Sequence, residues 1–131
     1  MLPAAETLPP DFHFAPLDQA SDDLTAAASA YDKAFAAHGA DGSTAVDAEL
    51  IKAERVLLDS GGLPNRPWFQ NMMYAPGFYT GYGVKTMPAI RESIEQKEYS
   101  TVDAEISRTA AAVEREATLL KAATKTLNAS R

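Results

Sequence analysis

Residues 101–128, TVDAEISRTAAAVEREATLLKAATKTLN, decide the fold. Along them Ile106, Ala110, Val113, Ala117, Leu120, Thr124 and Leu127 recur at alternating spacings of four and three. That is the stripe by which one helix packs on another in a bundle or coiled coil. Ser100 with Asp103 has the form of a capping box at the start of this helix. Asp103 and Glu105 near the beginning and Lys121 and Lys125 near the end complement the helix dipole.

Three shorter helices are expected upstream. Over residues 17–38, Leu17, Leu24, Tyr31 and His38 fall seven apart with alanines between them, Asp18 or Ser21 can cap the start, and Gly39 can close the end. Asp41-Gly42-Ser43 reads as a turn. Thr44 with Asp47 forms a second capping box, opening a helix over 44–59 whose face is Val46, Leu50, Ala53 and Leu57. Thr86 and Pro88 suit the first turn of a helix over 87–97, with Met87, Ile90 and Ile94 on its buried side. Between these, residues 60–86 combine prolines, glycines and six large aromatics, too broken for a long helix and too aromatic for a disordered linker. They read as an ordered loop with a short extended stretch at 68–74. Residues 1–16 hold four of the eight prolines and read as an extended arm that lays Phe12 and Phe14 on an apolar surface.

The sum is an all-α, four-helix bundle-like domain at 17–131. Its helices are unequal, so part of the long last helix lacks an obvious cover within the chain. Ile106, Val113, Leu120 and Leu127 are therefore the candidate seam of the bundle or of a dimer.

The 131 residues fit one domain with a real core, and the formal charge of -6 disfavours nucleic acid or an anionic membrane as partner. Without cysteine there is no disulfide, thiolate nucleophile or Cys-based zinc site. No apolar stretch approaches the ~20 residues of a membrane helix, and the first residues lack the basic-then-apolar order of a signal peptide. The chain is thus expected to be soluble, without an export signal of its own.

Chemistry is sparse. His13 and His38 are the only histidines and form no HExxH pattern, so no metal site is expected. Asp22-Asp23 suits the first turn of a helix, and Glu92, Glu95 and Glu98 are expected on the exposed side of the third. Gly81-Tyr82-Gly83 lacks the spacing of a phosphate loop. No nucleophile with its base is visible, so no catalytic residue is assigned. Tyr74, Tyr79 and Tyr82 combine apolar rings with hydrogen-bonding tips, and on residues alone they serve equally well to roof the bundle or to meet a partner or ligand.

Residues 61–88, GGLPNRPWFQNMMYAPGFYTGYGVKTMP, carry Gly-Leu-Pro-x-Arg-Pro-aromatic and Tyr-Ala-Pro signatures. They resemble the transferrin-receptor-like dimerisation domain, the C-terminal domain of the glutamate carboxypeptidase II and transferrin receptor family. Leu8-Pro9-Pro10-Asp11-Phe12 is similar to the entry of that domain, and residues 49–59 are similar to the helix that ends at the Gly-Leu-Pro turn. The final helix fits by position and alanine content.

The resemblance implies a non-catalytic helical domain that builds a homodimer and follows a zinc peptidase domain of the same protein. Zinc belongs to that missing domain and no cofactor to this chain; an extracytoplasmic location for the parent is family analogy. It also implies that the loop after Tyr-Ala-Pro borders the parent's substrate pocket, with Tyr82 at the tyrosine of a Lys-Tyr pair that holds a C-terminal glutamate. The lysine position is Gly81 here, which puts glutamate preference in question, while Phe78 and Tyr79 would make the pocket more apolar. Two other functions remain: a receptor-like binding or adhesion module without peptidase activity, and, ranked last, a small enzyme using Tyr82 or a carboxylate.

Overall fold

The computed structural model describes residues 1–38 and 44–129, so the helix-closing role of Gly39 and the turn at Asp41-Gly42-Ser43 lie outside the described residues. The elements are α1 (Ala15–His38), α2 (Thr44–Leu50), α3 (Ala53–Val56), β1 (Tyr74–Pro76), β2 (Val84–Thr86), α4 (Pro88–Glu95) and α5 (Tyr99–Ala129). The domain is mostly helical, as the periodicities require, but a small antiparallel hairpin interrupts the all-α expectation. In it Tyr74 faces Thr86, Ala75 faces Lys85 and Pro76 faces Val84.

α5 is the spine. It packs most extensively on α1, then on α4 and α2. Ile106, Ala110, Val113, Ala117 and Leu127 are buried, while Leu120 and Thr124 are half-buried. Ile106 and Val113 join Leu17, Ala20, Ile90 and Val102 in one core cluster, and Leu127 joins Ala34, Val46 and Ala123 in another. Ala112, on the other flank of α5, lies beneath Leu63, Met72 and Ala75 of the loop. Most of the long helix is therefore covered by its own chain, and most of the stripe expected to await a partner is used inside the bundle. Each large apolar side chain buried in this way contributes about 1.5–3 kcal/mol.

Several boundaries move, each for a physical reason. α1 starts at Ala15, inside the expected arm, because Pro16 sits in the first turn where no backbone donor is needed. The Phe14 carbonyl accepts the first bonds, from the Leu17 and Asp18 amides at 2.9 and 3.1 Å, so Asp18 and Ser21 both lie within the helix and neither caps it. The helix expected over 44–59 is two pieces with a bend at Ile51-Lys52. It ends at Val56 because its last carbonyls are claimed from elsewhere. Arg115 donates to the Val56 and Leu58 oxygens at 2.7 and 2.9 Å, and the Met72 amide takes the Leu57 oxygen at 3.0 Å. The extended stretch lies at 74–76 rather than 68–74.

α4 is shorter than expected, entered through Met87 in a left-handed conformation with Pro88 at its first turn. The capping box at Ser100 does not form, because both it and Asp103 lie within α5. Thr101 Oγ1 donates instead to the Glu98 carbonyl at 2.9 Å, and Asp103 accepts the His13 amide at 2.9 Å, pinning the arm. Phe12 seats there against the first core cluster and against the Tyr99 ring at 5.9 Å. Among the described residues, no helix is long and apolar enough to cross a membrane.

The Gly61-Gly62 turn is clamped to α5 by Arg108, which donates to Asp59 Oδ1 at 2.9 Å, to the Gly62 carbonyl at 2.6 Å and to Glu105. The Arg108 hydrogen bond holds the Asp59 carboxyl below its ordinary range, against an opposing push from burial. A carboxyl whose folded pKa lies below its unfolded value stabilises the fold above the unfolded pKa. That contribution is lost as pH falls below about 4 and through the lowered folded value. Asp59→Asn is accordingly expected to lower the urea midpoint at pH 7, with the gap from wild type closing in acid. A gap that persists unchanged below about pH 3 would remove the ion pair as its cause.

Candidate functional site

The loop between α3 and α4 is organised around a buried ion pair that the sequence concealed. Arg66, 5 % exposed, sits in the turn whose Leu63 amide bonds the Phe69 carbonyl at 2.8 Å. Its guanidinium donates to Glu92 Oε2 at 2.5 Å and to the Pro76 carbonyl at 2.6 Å. The rings of Phe69 and Phe78 each lie 5.3 Å from it, offering their negative faces to the cation. Glu92 Oε1 accepts the Phe78 amide at 2.6 Å.

Glu92 was expected on the exposed side of its helix, and the structure overturns that: it is 7 % exposed. The stripe Met87, Ile90 and Ile94 does meet the first core cluster. A second stripe, Pro88, Ala89, Glu92 and Ser93, is buried as well. One pair of charges thus ties a turn, the end of β1 and α4 together, leaving the Arg66 Nε donor buried without a hydrogen-bond partner.

The hairpin grows from this anchor. The Gly77 amide bonds the Gly83 carbonyl at 2.9 Å, and the Tyr82 amide bonds the Thr80 carbonyl at 2.6 Å, so residues 77–83 fold back tightly. Gly81 has φ +63° and a Cβ added there would meet nothing within 4 Å. Tyr82 is fully exposed and Tyr79 is 80 % exposed, at the apex. Phe78, still 37 % exposed, lies over Arg66 and contacts Tyr79 edge-on at 4.7 Å, so it links the apex to the anchor. Lys85, at the foot of the hairpin, is paired with Glu95, which also accepts from Arg91 at 2.9 Å. Those two cations, Lys85 first, hold the Glu95 carboxyl below its ordinary range. The apex presents phenols and no charge.

Tyr74 stands apart from that apex: its hydroxyl donates to Glu54 Oε2 at 3.0 Å, and that bond and charge raise the phenol's pKa. The helical candidates also lie elsewhere, with Ile106, Val113 and Leu127 in the core and Leu120 half-buried on α5. His13 and His38 are exposed on separate elements, and among the described residues no three His, Cys, Asp or Glu side chains gather where a metal ion could sit. The residues missed by sequence reasoning are Arg66 and Glu92. The available signal was an arginine placed between two prolines in a turn too aromatic to be solvent-exposed.

Two relatives align with part of this chain. A probable glutamate carboxypeptidase of Arabidopsis thaliana is 41 % identical over 46 residues, which is 35 % of this chain and 7 % of the relative. A probable glutamate carboxypeptidase of Arthroderma benhamiae is 44 % identical over 41 residues, 31 % of this chain and 6 % of the relative. The matches thus span less than a tenth of either relative's length. The transferrin receptor-like dimerisation domain matches far more of this chain, residues 12–121, from the seated Phe12 through the Arg66–Glu92 anchor to the last third of α5. With the hairpin, the anchor and all but the end of α5 inside one continuous match, the chain belongs to the transferrin receptor-like dimerisation domain family.

Proposed function

We propose that this chain is the non-catalytic homodimerisation domain of a glutamate carboxypeptidase-like, zinc-dependent exopeptidase, and that its loop 74–86 borders the parent's substrate pocket. The observation that carries the second half is the apex, where Tyr82 and Tyr79 project into solvent from a hairpin held at its base by the Arg66–Glu92 pair. Exposed aromatics on a fixed support suit contact with a ligand or a second domain better than they suit the roof of a bundle. The zinc would be held by the peptidase part of the parent, outside this chain; the described residues offer it no ligand cluster. In the pocket Tyr82 would give a hydrogen bond and a ring, and Tyr79 apolar surface, with Phe78 supporting both. Gly81 takes the place of a cation, and Lys85 is neutralised by Glu95, so a C-terminal glutamate would find no charged partner from this loop.

In the full-length protein, Tyr82→Ala is expected to lower kcat/KM about tenfold with the dimer intact, the loss of one hydrogen bond and its ring contact. Gly81→Lys is expected to raise kcat/KM for peptides ending in glutamate at least about tenfold over those ending in leucine, by supplying a charge-assisted bond. If neither substitution changes turnover, the loop lies away from the pocket. A parent that already prefers C-terminal glutamate strongly would refute the uncharged pocket.

A further inference from the structure

The stripe on α5 that the sequence offers for pairing is largely covered by α1, α2 and α4, so a dimer needs another surface. One face stands open. At the bend between α2 and α3, Ile51 is 78 % exposed, and Trp68 beyond the end of α3 is 70 % exposed. Two clefts adjoin this segment. One of about 410 Å³ is floored by Val56, Leu119 and Ala122, and the other, of about 420 Å³, runs past Leu58, Trp68 and Pro76. Exposed apolar knobs beside apolar hollows are what a self-complementary surface requires, because in a twofold dimer each feature meets its counterpart twice.

The charges there are complementary as well. Lys52 and Arg55 form no ion pair among the described residues. Nor do the carboxylates Glu54 and Glu116. Glu54 meets only the neutral Tyr74 hydroxyl and the field of Glu116, and Glu116 Oε2 is buried with no hydrogen-bond partner. Burial, then the Glu54 charge, pushes the Glu116 carboxyl up, which is the signature of an acidic spot without a cation.

We propose that the α2–α3 face docks a second copy of this chain about a twofold axis, with the Ile51 and Trp68 knobs of one protomer in the clefts of the other. Lys52 and Arg55 then meet the partner's Glu54 and the partner's Glu116. The inference rests on the homodimer half of the proposed function and adds the surface and its charge pairing.

The test is light scattering of the 131-residue chain at about 50 µM, well above a dissociation constant of about 1 µM. Two double variants, Lys52→Glu with Arg55→Glu, and Glu54→Lys with Glu116→Lys, each place like charges across the axis. Each alone is expected to weaken self-association at least about a thousandfold and to run as a monomer with an unchanged helical spectrum. Mixed one to one, they restore both sets of opposite charges and are expected to run as a dimer. Dimers that persist in both variants overturn the face while leaving homodimerisation intact. A monomeric wild-type chain overturns a second copy as the occupant and points to another part of the parent, and loss of pairing without recovery on mixing overturns the reciprocal arrangement. Should the charge variants fail to fold, Ile51→Asp at its exposed position asks the same question, and a surviving dimer sinks the proposal.

Discussion

Arg66→Ala is expected to destabilise the chain by about 3–5 kcal/mol, the cost of leaving a buried charge without its partner. Glu92, 7 % exposed, would lose its cation. The Pro76 carbonyl would lose a donor and the Phe69 and Phe78 rings the plane they flank. For a domain of this size the loss corresponds to a fall in Tm on the order of 10–20 °C. Thermal and urea unfolding check it. Replacing both charges with apolar residues, Arg66→Met with Glu92→Leu, is expected to recover part of the loss, because the largest cost lies in breaking the pair rather than in lacking it. A single variant that loses under about 1 kcal/mol would mean that water reaches the pair and the hub is looser than its geometry.

Gly62→Ala is the second large effect, expected at about 3 kcal/mol or more from a single methyl group. Gly62 has φ +69°, a region that costs an L-residue roughly 1 kcal/mol or more. The added carbon would also fall 2.2 Å from the Pro67 carbonyl oxygen and 2.5 Å from its Cα. Those atoms are backbone, so the turn itself must open. Opening it pulls on the Leu63 to Phe69 hydrogen bond and on Arg108, which grips the Gly62 carbonyl. Gly81→Ala is the built-in control. Its φ is nearly the same, +63°, but its surroundings are empty, so about 1 kcal/mol is expected from the backbone alone. Equal midpoints for the two variants would show that the crowding at Pro67 relaxes freely.

The helical frame was legible because its cause is local and repetitive. The four-and-three spacing from Ile106 to Leu127 names buried or half-buried positions, and so does the seven-residue spacing from Leu17 to Tyr31, while its last member, His38, is exposed. What escaped has a distant cause. The break after Val56 comes from Arg115, which takes its carbonyl from 59 positions away. The burial of Glu92 comes from Arg66, 26 positions away. No periodicity carries either. The hairpin strands, Tyr-Ala-Pro and Val-Lys-Thr, are three residues each and too short for alternation to register. The segment that holds the candidate site was instead legible through its resemblance to a family, which reads a tertiary arrangement that spacing cannot. The α5 stripe shows the converse limit: periodicity says that a face is covered, and not by which chain.

The Arg66–Glu92 anchor and the open apex above it also divide the labour of heredity. Tyr79 and Tyr82 stand clear of the core clusters, so exchanges there leave the folding free energy nearly untouched, and Gly81 between them adds only the backbone cost of its left-handed conformation. Gly62, Arg66 and Glu92 allow almost none. A change of side chain at the tip of the hairpin thereby needs no compensating change elsewhere to keep the fold, whereas a change in the base that carries the tip does. If the tip borders a pocket as proposed, recognition can change there on a support that cannot.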